Sequence, residues 1–154
     1  MSSNPRMRVR DGQRGTALIE FALILPFMLV LTLCVVDLSR AFYMKSVLTS
    51  AARDGARLAA SLGNPLTGAV PAADNDAVVA RVMLVLLPVT QQAGVGLSSV
   101  AISVTAPAAN HYQVQVSGNF HWLYLGLLNF FGPGTFSNPQ TLTANAVMRS
   151  LSSS

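Results

Sequence analysis

The chain predicts an α+β protein: one long N-terminal helix that crosses a membrane and projects beyond it, then a head made of a short helix and a small antiparallel sheet. Three observations carry this expectation. Residues 17–36 form an apolar run of about 20 residues, the length one helix needs to cross the hydrocarbon core of a bilayer. Helical character continues past that run, because Pro26 is the sole Gly or Pro between Thr16 and Ala52. The later part of the chain instead alternates apolar and polar residues with a period of two, the pattern of a sheet with one buried face.

The elements follow in order. Residues 1–15 are short, basic and without apolar periodicity, and read as a disordered leader. From Thr16 a helix is expected to Leu62, where Gly63-Asn64-Pro65 stops it. Pro26 removes a backbone donor and should kink or loosen one turn, which membrane helices tolerate when neighbours satisfy the freed carbonyl. A helix over 16–62 is about 70 Å long at 1.5 Å per residue, so its second part must stand outside the bilayer. That part carries a heptad-like seam of Ala41, Met44, Leu48, Ala51, Gly55, Leu58 and Leu62. The seam covers either the core of its own head or the contact between subunits of a filament.

Residues 63–76 read as a loop. Asp74 or Asp76 is expected to cap a short helix over 77–87, apolar nearly all round, mostly buried and stopped by Pro88. Residues 89–98 read as loop. Val100, Ile102 and Val104 then alternate with polar or small residues, as do Tyr112, Val114 and Val116, with 106–110 as the hairpin loop between them. Phe120, Trp122 and Tyr124 extend the second strand, with a bulge or bend at Gly118. Leu142, Ala144, Ala146 and Met148 form a last strand. The chain thus divides into a leader over 1–15, a transmembrane and projecting helix over 16–62, and an extracytoplasmic head over 63–154.

Composition agrees with a membrane element. Of 154 residues, 51% are hydrophobic and 10% charged, against roughly 25% charged in soluble domains. The net charge of +4 does not point to nucleic acid. Arg6, Arg8, Arg10 and Arg14 lie in the leader, offset by Asp11, so the chain beyond residue 15 is near neutral. A nucleic-acid binder keeps its basic patch on the folded domain. Arginines before a span instead hold the N-terminus in the cytoplasm and send the head outward. The apolar run is not an ordinary secretory signal, since Val36-Asp37-Leu38-Ser39-Arg40-Ala41 offers no small-residue cleavage site. Cys34 is the only cysteine, and the preceding Leu33 does not fit a lipoprotein signal.

Glu20 is the residue out of place. An acidic side chain at mid-membrane costs about 2.5–3.5 kcal/mol on insertion scales, so it calls for a partner. If the chain is cut after Gly15, the new α-amine of Thr16 lies four positions earlier on the same helix face. Such an amine is largely protonated near neutral pH.

Gly15 followed by Glu20-Phe21-Ala22-Leu23-Ile24-Leu25-Pro26 resembles the class III signal of type IV pilins, and more narrowly the TadE-like minor pseudopilins of the tight-adherence (Flp) pilus. The resemblance covers residues 14–60 well and the rest by general character. Thr16 departs from the phenylalanine that many major pilins place first. The resemblance implies a pilin-like plan of helical spine and globular head. It implies a prepilin peptidase that cuts between Gly15 and Thr16, and an assembly role for Glu20, with Phe21 and Pro26 beside it. Other implied partners are pilins, pseudopilins and inner-membrane assembly proteins. The expected location is the bacterial inner membrane, single-pass with the N-terminus cytoplasmic, or a cell-surface pilus.

The remaining residues carry little chemistry. His111 and His121 lack metal-ligand spacing, and no metal or other cofactor is expected. Asp37 and Arg40 read as an ordinary helix exit at the interface. No nucleophile motif or phosphate loop stands out, which argues against an enzyme. A second reading stays open: an uncleaved single-span protein whose outer domain binds a ligand or partner.

Overall fold

In a computed structural model, residues 10–63, 71–91, 96–108, 110–125, 132 and 138–150 are described. Helix α1 runs from Arg10 to Leu62, 53 residues and so about 80 Å. It passes through Pro26 without ending. Its start is a correction: residues 10–15, expected to be disordered, are the first turns of the helix. A helix of this length has met its nucleation cost, so these residues need only propagate it, Gly12 and Gly15 included. Residues 1–9 lie outside the described residues.

Helix α2 spans Ala72–Thr90, longer at both ends than 77–87. Its N-cap is Pro71, not an aspartate. The Pro71 carbonyl accepts the N–H groups of Asp74 and Asn75 at 2.9 and 3.0 Å, and Asp74 complements the helix dipole from the first turn. Pro88 does not stop the helix. It sits on the exposed face near the end, above Leu84, whose carbonyl loses its donor where solvent can replace it. Beyond it, Gln91 N–H donates to the Leu87 carbonyl at 3.1 Å and Thr90 Oγ1 to that of Leu86 at 3.2 Å.

Three strands form an antiparallel meander: β1 (Leu97–Ala108), β2 (His111–Phe120) and β3 (Gln140–Arg149), with β2 central. The alternation read from the sequence sets their faces. Tyr112, Val114, Val116 and Phe120 are buried, while Gln113, Gln115, Ser117 and Asn119 face away from the core. Ala144 is buried beside Val116, its partner in the register. The strands run closer to the turn than the expected 106–110 loop, since Ala108 pairs with His111 and Asn110 takes a positive φ of 60°. The expected irregularity near Gly118 is present, but on the facing strand. Ser99 and Val100 bulge opposite Gly118, with Ser99 at φ 51°. A Cβ on Gly118 would lie 3.3 Å from Leu97 Cδ2, so the glycine leaves room for that side chain. Strand β2 ends at Phe120, and Trp122 and Tyr124 do not extend it. The apolar stretch beyond Leu125 lies largely outside the described residues.

The two helices cover one face of the sheet, α1 over β2 and β3 and α2 beside β1. Met44, Leu48, Ala51, Ala52, Gly55, Ala56 and Ala59 of α1 are buried against Val78, Val82, Leu86 and Val89 of α2 and the inner face of β2. Helix α2 is not buried all round: Met83, Leu84 and Leu87 are exposed, because the described elements pack on one side of it only. The small residues of α1 set the spacing. A Cβ at Gly55 would stand 2.5 Å from Val82 Cγ2 and 3.2 Å from Val114 Cγ1, and short branched valines cannot swing aside. Gly55→Leu should therefore lower stability by about 1–3 kcal/mol. Gly55→Ala should also destabilise, because the overlap exceeds the roughly 1 kcal/mol that alanine gains in helix propensity. Thermal unfolding in detergent, followed by circular dichroism, measures both.

Candidate functional site

The candidate functional residues lie along α1. Gly15 and Thr16 are exposed, with nothing within 4 Å of where a Gly15 Cβ would stand. Glu20 is exposed on the same helix, four residues after Thr16, so its Cα is about 6 Å further along the axis. From Leu18 to Val36 the large apolar residues, Phe21 among them, face outward. Among the described residues nothing covers the most apolar 18-residue window, which has a mean hydropathy of 2.6 and is 0% buried. This helix is long and apolar enough to cross a membrane. Two of its hydroxyls are satisfied within the helix, as a lipid environment would require. Thr32 Oγ1 donates to the Met28 carbonyl and Ser39 Oγ to that of Val35, both at 2.8 Å. Beside Pro26, the residues Leu25, Met28, Leu29, Thr32 and Leu33 line an open groove.

The seam residues occupy the other end of α1. Met44, Leu48, Ala51 and Gly55 are buried under the chain's own head, and Leu58 is half-buried. Leu62, the last position of the seam, is exposed. The face is displaced slightly toward Ala52, Ala56 and Ala59. Of the two roles this stripe was expected to allow, the head's own core fills it.

Where the apolar run ends, the structure makes a junction that sequence reasoning missed. Asp37 is wholly buried. Its Oδ1 accepts from Arg40 Nη1 at 3.0 Å, and its Oδ2 accepts the backbone N–H groups of Tyr124 at 2.6 Å and Leu125 at 2.9 Å. The Arg40 guanidinium also lies over the Phe120 ring, 5.3 Å from its centroid. Phe120 in turn meets Trp122 edge to face at 4.9 Å. A second clamp holds the same segment: Trp122 N–H donates to Asn138 Oδ1 at 3.2 Å, and Asn138 Nδ2 donates to the Trp122 carbonyl at 3.1 Å. Residues 121–125 are thus fastened to α1 on one side and to the start of β3 on the other. Asp37 and Arg40 are not a plain solvated helix exit. One signal was available: Asp37, Ala41, Met44 and Leu48 are spaced four, three and four, so Asp37 is the first position of the buried stripe.

Of the two histidines, one lies on the fastened segment and the other at the opposite end of β2. His111 begins β2, and His121 Nε2 lies 3.3 Å from Ser98 Oγ. Among the described residues no three His, Cys, Asp or Glu side chains group to hold a metal ion.

These features define a class: a head of two helices and a three-stranded sheet, carried on one apolar helix through a buried carboxylate. The model of a family described as TadE-like protein matches residues 15–57. The match begins at Gly15, includes Glu20 and Asp37, and ends within the buried stripe. This N-terminal segment is consistent with a TadE-like family associated with the tight-adherence pilus. No curated protein and no solved structure matches the chain.

Removing the Asp37 carboxylate leaves two backbone donors without acceptors, at about 1–3 kcal/mol for each buried group. Asp37→Ala should therefore destabilise the head and release residues 121–125. Faster hydrogen exchange at the Tyr124 and Leu125 amides, with little change in the middle of β2, is the expected reading. Asp37→Asn keeps one oxygen acceptor and should fall between the two.

Proposed function

We propose that this protein is a minor pseudopilin of a tight-adherence (Flp) pilus or a related secretion filament, and that it acts by assembly and not by catalysis. The observation that carries the reading is the TadE-like match over 15–57, which starts at the glycine of the proposed cleavage bond. In this reading a prepilin peptidase on the cytoplasmic side cuts between Gly15 and Thr16. The leader arginines keep that side cytoplasmic, and the head stands outside the inner membrane. Pilins, pseudopilins and inner-membrane assembly proteins are the partners.

The exposed Gly15–Thr16 bond suits a protease, with one added requirement. It lies inside α1, so a turn of helix must open before cleavage. Glycine eases that step, being about 1 kcal/mol worse than alanine in a helix. Cleavage leaves a cation at the positive end of the helix dipole, which is unfavourable by itself. Glu20 then offers the compensating charge one turn away, to its own chain or to a neighbour. Pairing between chains removes two costly charges from lipid and sets the axial register of assembly.

A second reading is an uncleaved single-span protein with a binding head, and the unbroken course of α1 through Gly15 favours it. Mass spectrometry separates the two. In cells with the peptidase, the protein should lack its first 15 residues, and Gly15→Asp should block the loss. Full-length protein in those cells sinks the pseudopilin reading. Glu20→Ala should still insert and be cut but should fail to support surface pili. Normal piliation by that variant would contradict the charge pairing.

A further inference from the structure

The head is tied to the level at which α1 leaves the apolar run. Asp37 directly follows Val36, and its carboxylate holds the Tyr124 and Leu125 amides. Residues 121–125 therefore sit beside the exit of the helix. Four large apolar or aromatic side chains around that level are exposed. Leu38 is 49% exposed, Phe42 67% and Tyr43 55% on the helix, and Leu123 is 44% exposed on the segment.

A cleft of about 340 Å³ opens between this part of α1 and the start of β3. Leu38, Phe42 and Trp122 contribute apolar lining, Thr141 and Thr143 hydroxyls, and Lys45 a cation. Heights along the helix can be compared with a bilayer. At 1.5 Å per residue, Leu38 lies about 1.5 Å, Phe42 about 7.5 Å and Lys45 about 12 Å beyond Asp37. The headgroup layer on one side of a bilayer is roughly 5–8 Å thick. Leu38 and Phe42 thus fall within it, and the long Lys45 side chain can reach back to its phosphates. Aromatic rings concentrate in that layer.

We propose that Leu38, Phe42, Tyr43, Trp122 and Leu123 form a lip by which the head rests in the lipid headgroup layer, with Lys45 on the phosphates and the cleft receiving lipid. The partner is the lipid surface, and the proposal rests on α1 spanning the membrane. The lip is continuous with the exposed apolar surface of the span, and Asp37 sets its depth.

Trp122 is the only tryptophan, so its fluorescence reports this place alone. The test uses the full chain in vesicles of phosphatidylcholine and phosphatidylglycerol. The lipids carry bromine near either the headgroup end or the tail end of the acyl chain. Flotation after an alkaline wash reports separately whether α1 is inserted. Bromine near the headgroups should quench Trp122 more strongly than bromine near the tail ends. The double variant Phe42→Asp, Leu123→Asp changes two exposed side chains, so it should still float, and it should lose most of that quenching. A chain that resists the alkaline wash with Trp122 unquenched by either lipid overturns the lip and leaves the span standing. A chain that fails to float removes the span and the lip with it.

Discussion

The Asp37 carboxylate accepts three donors from parts of the chain that are far apart in sequence, and the mounting of the head follows from where those donors lie. Arg40 comes from the next turn of the same helix, whereas Tyr124 and Leu125 arrive from 87 and 88 residues away. A lone carboxylate withdrawn from water is strongly disfavoured. This one is tolerable because a guanidinium and two amides meet it, with Oδ1 and Oδ2 each accepting a donor from one of the two parts of the chain. The demand runs both ways. Two consecutive amides beyond the end of β2 have no strand to pair with, and the carboxylate gives them an acceptor. Segment and helix therefore solve each other's problem, and the aromatic stack of Arg40, Phe120 and Trp122 closes over the joint.

The composition of α1 changes along its length, at Asp37. From Phe21 to Val36 it is apolar on nearly all sides, Thr32 excepted. After Asp37, a stripe of small residues turns inward, and Lys45, Arg53 and Arg57 face outward. The small residues are the reason the head can be compact with so few elements. Alanine and glycine bring α2 and β2 close to the α1 backbone, and valines fill the narrow space between. The sheet contributes large side chains where that space widens, Tyr112 at one end and Phe120 at the other.

Much of this was legible in the sequence because it is periodic. The long apolar run, the end of α1 at Leu62, the inward stripe and the alternation around Val104, Val114 and Ala144 need only local spacing to be seen. What was hidden depends on distant partners. The Asp37 junction joins residues whose separation has no pattern. The tolerance of Pro88 rests on which side of α2 faces solvent, and that is decided by packing. Gly118 signalled an irregularity correctly, yet whether it falls on β2 or on its neighbour is a matter of register. Residues 10–15 are helical because an adjoining helix extends more easily than a new one starts. The expectation for Glu20 and Gly15 rests instead on chemistry and on the distance between them.

The rod between Glu20 and Asp37 is continuous, and a continuous α-helix is a screw thread. Each residue turns it by about 100° and advances it by about 1.5 Å. Adding or deleting one residue in that interval would swing the head around the axis relative to Glu20 by more than a quarter turn, for almost no change in height. The seventeen-residue separation between the two acids is therefore an angular setting. It fixes the compass bearing of the head relative to Glu20, a dimension that length alone does not convey.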